Sequence, residues 1–283
     1  MAFGGCGRLI FAPGSWMDQR SIVLLPGLGR LLVFLVLVGI GFQASAPARA
    51  EENGKIEPPV SESVLIHCPG IAGSMPIDQS LVEGLIRGGV ASQARIFDWT
   101  GEFRGLLALG KLHHNRQQAR VLAQEIESIY RKNPETRVIL TAHSGGTGIA
   151  VWALEQLADR VRIDTLVLLA SALSPNYDLG PALKHVRQAY SFHSPYDNWV
   201  LGTGTRTLGT IDRVKTDAAG YVGFQCTDPK LKQIGYDPRW IRFGNSGDHV
   251  GTMNQRFAHQ VLAPLILNSS LVGTLSTQPS ETP

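Results

Sequence analysis

A chain of 283 residues with 43% hydrophobic and 17% charged side chains is long enough to bury a full single-domain core without metal or disulfide staples. Four arginines and one aspartate fall in the first fifty residues, so the formal charge of +3 belongs to that leader and the remainder carries 22 basic and 22 acidic side chains. A neutral body without a lysine and arginine run argues against nucleic acid as a partner.

The leader comes first. Arg20 and Arg30 flank or interrupt an apolar run centred on 31–42, and Ala48-Arg-Ala50 closes it. This is the order of a secretory signal, with a basic region, an apolar core and a small-residue cleavage site. Residues 1–50 are therefore read as a signal peptide, which implies export to a periplasmic or extracellular space and no stable membrane insertion after cleavage. The alternative is a tether through 22–42, which is long enough to span a bilayer but carries Arg30 in its middle. Residues 51–62 form a short linker, 63–268 the globular domain and 269–283 a flexible tail.

Apolar runs predict strands at 63–68, 94–98, 137–143, 163–170, 188–193 and 240–243. Between them lie helix-like segments. Residues 117–131 repeat Ala119, Leu122, Ile126 and Ile129 at one-turn spacing and stop before Asn133-Pro134, and further helices are expected over 146–157 and 253–267. Alternation of this kind predicts a mostly parallel sheet with helices on both faces. Only about twenty residues separate the strands at 163–170 and 188–193, too few for a large cap domain. The region 202–238, rich in Gly, Thr, Asp and Lys, is expected to rim a site rather than build a second core.

The chemistry concentrates at strand ends. The β-branched run from Arg137 ends in Ala142-His-Ser-Gly-Gly146, where the chain must turn sharply into a helix. Such a turn forces Ser144 into a strained conformation with its hydroxyl raised above the sheet, and small residues at 142 and 146 let strand and helix approach. A phosphate loop is excluded because Ile149-Ala150 stands where Lys and Ser or Thr would be required, and the dinucleotide pattern lacks its acidic partner, since the next strand ends in Ala170-Ser171. His249 falls on a Gly-rich loop before the last helix, where a general base can reach such a serine. Asp197, in the turn after 188–193, is the natural carboxylate to orient it, and Asp178, on the preceding loop, is the rival. Upstream, Pro69-Gly-Ile-Ala-Gly73 follows the first strand. With the residue after the serine, it could supply backbone N–H groups for a developing oxyanion, from Ile71 and Gly145.

The elbow Ala142–Gly146, the turn Pro69–Gly73 and the order Ser144, Asp197, His249 together resemble the α/β-hydrolase family over about residues 60–268. The resemblance implies an α/β-hydrolase fold with Ser144 as nucleophile, His249 as general base and then acid, Asp197 as orienter, and the Ile71 and Gly145 amides as oxyanion hole. Together with the leader, it makes the expectation an exported serine hydrolase acting on a small-molecule or lipid ester through an acyl-enzyme. The alternatives are an acyltransferase using the same residues and a binding protein that keeps the scaffold without turnover. No motif calls for a cofactor or metal. The adjacent His113 and His114 point about 100° apart on a helix and are read as surface residues. Cys68 and Cys226 are as compatible with a small buried hydrophobe as with a disulfide. Phe103, Leu106, Leu107 and Leu109 are either lining for an acyl site or loop anchors.

Overall fold

The computed structural model describes residues 62–268. The signal-peptide and tether readings over 1–50, nearly all of the linker and the tail at 269–283 lie outside the described residues.

Among the described residues six strands form one sheet in the order β2-β1-β3-β4-β5-β6, and every neighbouring pair is parallel. They are β1 (Ser63–Cys68), β2 (Gln93–Ile96), β3 (Arg137–His143), β4 (Ile163–Leu169), β5 (Val186–His193) and β6 (Leu231–Gly235). Parallel neighbours need crossovers, which here are α1 (Pro76–Arg87), α3 (Leu112–Lys132, after the short α2, Leu106–Gly110), α4 (Gly146–Leu154) and the short α5 (Gly180–Leu183). β3 is buried from its second residue onward, as expected of a strand covered on both faces.

The period-2 alternation sorts the core. Val138, Leu140 and Ala142 of β3 pack with Ile66 and Cys68 of β1, Leu166 and Leu168 of β4, and the α3 and α4 side chains. On the opposite face Leu65, Ile139, Val167 and Leu169 pack with α1 and with Met253, Phe257 and Leu262 near the chain's end. His67 and Thr141 share that second face, where the His67 ring bonds Thr141 Oγ1 at 2.9 Å and Asp78 of α1 at 2.9 Å. The Asp78 carboxylate accepts from Nε2–H of His67, and Nδ1 shares its hydrogen bond with the threonine hydroxyl, which can donate or accept. A buried polar pair is thereby satisfied and α1 is keyed to the sheet.

After β1 the chain moves to the edge strand β2 and returns through α3 to β3 on the other side of β1. The sheet's switch point thus lies between β1 and β3, where a crevice opens beyond the carboxyl ends of the strands. The Pro69–Gly73 turn and Ser144 both emerge there.

Two expectations need correction. Residues 240–243 are not a strand but part of a 3-10 turn, Pro238–Phe243. Pro238 has no N–H to give a ladder, and Asp237 Oδ1 accepts the Arg239 amide at 2.9 Å, so the backbone closes on itself. The last strand is instead β6, inside the segment read as a rim, where Lys232, Gln233 and Gly235 are exposed on an edge strand. Its apolar pattern is accordingly weak. The second correction concerns the histidine pair: α3 begins at Leu112, and whereas His113 is exposed, His114 is half-buried, its Nε2 3.0 Å from the Trp99 carbonyl oxygen and its ring edge-on to Phe103. Smaller shifts affect element ends: β2 stops at Ile96, β5 starts at Val186, α4 stops at Leu154, and the final helical segment covers 255–268.

No cap domain is inserted between β4 and β5. The β5–β6 connection instead folds into short helical turns, Asn198–Gly204, Thr205–Leu208 and Ala219–Val222, which rim the crevice as the composition predicted. Among the described residues no helix is long and apolar enough to cross a membrane.

Candidate active site

Ser144 sits at the turn between β3 and α4 with φ of 51°, a left-handed conformation that is uncommon for a residue with a side chain and is held only where its surroundings over-determine it. They do so here. The Ser144 amide donates to Leu169 O at 3.0 Å, while its carbonyl accepts from Thr147 Oγ1 at 2.6 Å and from the Ala172 amide at 3.3 Å. Gly146 is required by packing. A Cβ there would lie 2.3 Å from Pro69 O and 2.5 Å from Cys68 O, so any side chain would push the helix off β1.

The structure brings the three side chains together. His249 Nε2 lies 2.9 Å from Ser144 Oγ, and His249 Nδ1 lies 2.6 Å from Asp197 Oδ2. The carboxylate accepts, so Nδ1–H donates and the Nε2 lone pair faces the serine hydroxyl. Ser144 and Asp197 are buried, and the His249 side chain is 18% exposed. Burial pushes the Asp197 carboxyl above its ordinary range, while the hydrogen bond and charge of His249 act in the opposite direction. Asp197 Oδ1 has no partner among the described residues; it shares a small cavity with Asn245 and Thr252, each of which also holds an unpartnered polar atom. Asp178 is elsewhere: exposed, it accepts from the Gly180 amide at 2.9 Å.

Ile71 and Gly145 line one cleft together with Ser144. Among the described residues neither amide donates a hydrogen bond, which leaves both N–H groups for a ligand. The turn carrying Ile71 is anchored by residues that sequence reasoning missed. Trp99 Nε1–H donates to Pro69 O at 2.8 Å. Asp98 accepts from the Ser74 amide at 3.0 Å, the Thr100 amide at 3.1 Å and Thr100 Oγ1 at 2.7 Å, and pairs with Arg104 at 3.3 Å. Burial pushes the Asp98 carboxyl up, but these donors outweigh it and hold it below the ordinary range. The spacing Asp98-x-Thr100 is an Asx-turn signal that could have pointed to it.

His143 was also missed as a site residue. Its buried ring donates Nε2–H to the His249 carbonyl oxygen at 2.8 Å, tying the histidine loop to the residue before the serine. Burial, reinforced by the neighbouring His249 and His67 and only partly offset by that hydrogen bond, pulls its pKa down to about 3. The signal available in the sequence was alternation, which turns His143 to the same face as Thr141.

Cys68 and Cys226 are free thiols; Cys68 is fully buried, and burial pushes its thiol far up. Among the described residues no group of three or more His, Cys, Asp or Glu side chains is placed to hold a metal ion.

A parallel sheet that delivers a serine on a strained turn after a central strand, with a carboxylate and a histidine following in that chain order from the ends of later strands, is the α/β-hydrolase fold. The chain is similar to several solved structures. These include a cutinase-like protein from Cryptococcus sp. (15% identity, 74% of this chain and 94% of that one, TM-score 0.38) and Aspergillus fumigatus lipase B (12% identity, 74% and 53%, TM-score 0.45). A third is the ydeN gene product of B. subtilis (17% identity, 74% and 100%, TM-score 0.42). No protein-family profile matches the chain, and no curated protein sequence does.

Proposed function

We propose that the protein is an exported serine hydrolase that cleaves carboxylic esters through an acyl-enzyme, with its catalytic domain at residues 63–268. The observation that carries this reading is the unbroken hydrogen-bond path from Ser144 Oγ through both His249 nitrogens to Asp197, at 2.9 and 2.6 Å, ending on a serine held at positive φ. Distances of this size satisfy the reach required of a nucleophile, its base and the base's orienter.

In the proposed sequence Ser144 Oγ attacks the ester carbonyl carbon while His249 Nε2 takes the hydroxyl proton. The charge that develops on the carbonyl oxygen is met by the free amides of Ile71 and Gly145. Collapse of this tetrahedral species breaks the carbon–alkoxy bond, and the imidazolium returns the proton to the leaving alkoxide. Water, deprotonated by the same imidazole, then attacks the acyl-serine carbonyl; collapse breaks the bond to Ser144 Oγ, the imidazolium returns its proton to that oxygen, and the acid leaves. Asp197 keeps the proton on Nδ1 and stabilises the imidazolium formed at each transfer. Export rests on the order of features in residues 1–50.

Mixing the protein with excess p-nitrophenyl butyrate tests the reading. An acyl adduct of butyryl mass on Ser144, trapped by acid quench, and turnover that persists after the first equivalent of p-nitrophenol are expected. Sustained release of p-nitrophenol without any adduct in wild type, and unchanged in Ser144→Ala, would overturn it.

A further inference from the structure

The space beside Ser144 constrains the acyl group, an inference that rests on the proposed role of that serine. The cleft bounded by Ser144, Gly145 and Ile71 has a volume of about 110 Å³ and does not include His249 among its walls. It therefore lies on the side of the two free amides, with the imidazole outside it. An ester whose carbonyl oxygen meets those amides must turn its alkoxy oxygen to His249 for protonation, which directs the acyl chain into the cleft.

The walls are apolar. Ala172, Leu201 and Ile211 form a buried floor, and Leu106, Val200 and Leu208 stand exposed at the mouth. Among the described residues, the sole hydroxyl on the lining besides Ser144 is Thr205, and it is already committed to the Leu201 carbonyl at 2.6 Å. Among the described residues no charged side chain lines the space, so a carboxylate, ammonium or hydroxyl on the acyl chain would lose water and gain no partner there. Nor can the floor retreat. Ile211 donates its amide to Ala172 O at 3.0 Å, and its methyl group lies so close to Gly148 of α4 that a Cβ there would approach it to 2.6 Å. An apolar cavity of about 150 Å³ accommodates a six-carbon ring, or roughly 25 Å³ per carbon. By that measure the space holds about four carbons.

We propose that the protein selects esters of short, uncharged aliphatic acids of about four carbons, and that Ile211 is the residue that sets the length limit. The test uses the full chain with p-nitrophenyl esters from acetate to palmitate, together with the mono-p-nitrophenyl ester of succinic acid, which matches butyrate in length but carries a carboxylate. Expected is a rise in kcat/KM of about fourfold per carbon up to butyrate, then a decline of about tenfold or more by octanoate, with the succinate ester about a hundredfold below butyrate. Ile211→Ala should move the optimum to longer chains; should it fail to fold, Ile211→Val should move it by about one carbon. A flat profile, an optimum at dodecanoate or beyond, or equal rates for succinate and butyrate, with Ser144 still acylated, would overturn this selectivity and leave the serine's role standing. Hydrolysis of none of these esters, with Ser144 unreactive to a small fluorophosphonate, would overturn both.

Discussion

The substitution Gly146→Ala isolates the geometric demand of the elbow. The added Cβ would stand 2.3 Å from Pro69 O, 2.5 Å from Cys68 O and 2.9 Å from Cys68 C, whereas an ordinary close carbon–oxygen contact is about 3.3 Å. All three atoms are backbone, so no side-chain rotation relieves the clash, and α4 must move by about 1 Å relative to the end of β1. Overpacking of this kind costs about 1–3 kcal/mol, or a fall in Tm of about 2–12 °C for a domain of this size. The displacement falls on Pro69 and hence on the turn that aims the Ile71 amide, while Ser144 and Gly145 move with the helix. A misplacement of about 1 Å in a reacting constellation is worth about a hundredfold in rate. Thermal unfolding and the second-order rate constant for fluorophosphonate labelling should both fall, whereas Gly110→Ala, with nothing within 4 Å of its added Cβ, should match wild type in both. A Gly146→Ala protein with wild-type Tm and labelling rate would refute this account of the turn.

Three further outcomes follow from the site. Asp197→Asn should lower kcat/KM for p-nitrophenyl butyrate by about 10⁴-fold, because an amide neither fixes the Nδ1–H tautomer nor stabilises the imidazolium; Asp178→Asn, on the exposed loop, should leave the rate unchanged. Asp98→Ala should release the turn that carries Ile71 and reduce kcat by about 10–100-fold with little change in KM, measured on the same ester. His143 titrates near its ordinary 6.5 when unfolded and at about 3 when folded, so between those values the unfolded chain binds more protons. Its contribution to stability is thus complete above about pH 6.5 and is lost towards pH 3, with a slope approaching about 1.4 kcal/mol per pH unit. His143→Gln keeps a donor for the His249 carbonyl without titrating, so its urea midpoint should fall less than that of wild type between pH 7 and 4; parallel midpoints would count against it.

The central strands were legible because most of each is buried. β1 and β3 match their predicted limits and β4 falls one residue short, since a strand covered on both faces is a near-continuous apolar run, here broken by polar residues such as His67 and Thr141 that find buried partners. The edge of the sheet was not legible for the converse reason. Only one side of β6 is paired and its polar side chains face solvent, while Trp240 is apolar to fill an aromatic cluster with Phe192, Tyr236 and Phe257, not to join a ladder. Ser144, Asp197 and His249 could be read from their positions at the ends of successive elements, and they meet in space. What supports them was legible only in part: the spacing Asp98-x-Thr100 and the face of His143 are local signals, but the partners they reach are not. Asp98 reaches Ser74 across 24 positions and His143 reaches the His249 carbonyl across 106, and pairings at such separations cannot be read from local composition or periodicity.

The most direct test of the central claim is fluorophosphonate labelling of wild type, Ser144→Ala and His249→Ala, with the modified residue located by mass spectrometry. The proposed mechanism predicts a single adduct on Ser144 in wild type, none in Ser144→Ala, and labelling slowed by several orders of magnitude in His249→Ala. A folded wild-type protein that takes no label, or an adduct on another residue that persists in Ser144→Ala, would contradict it.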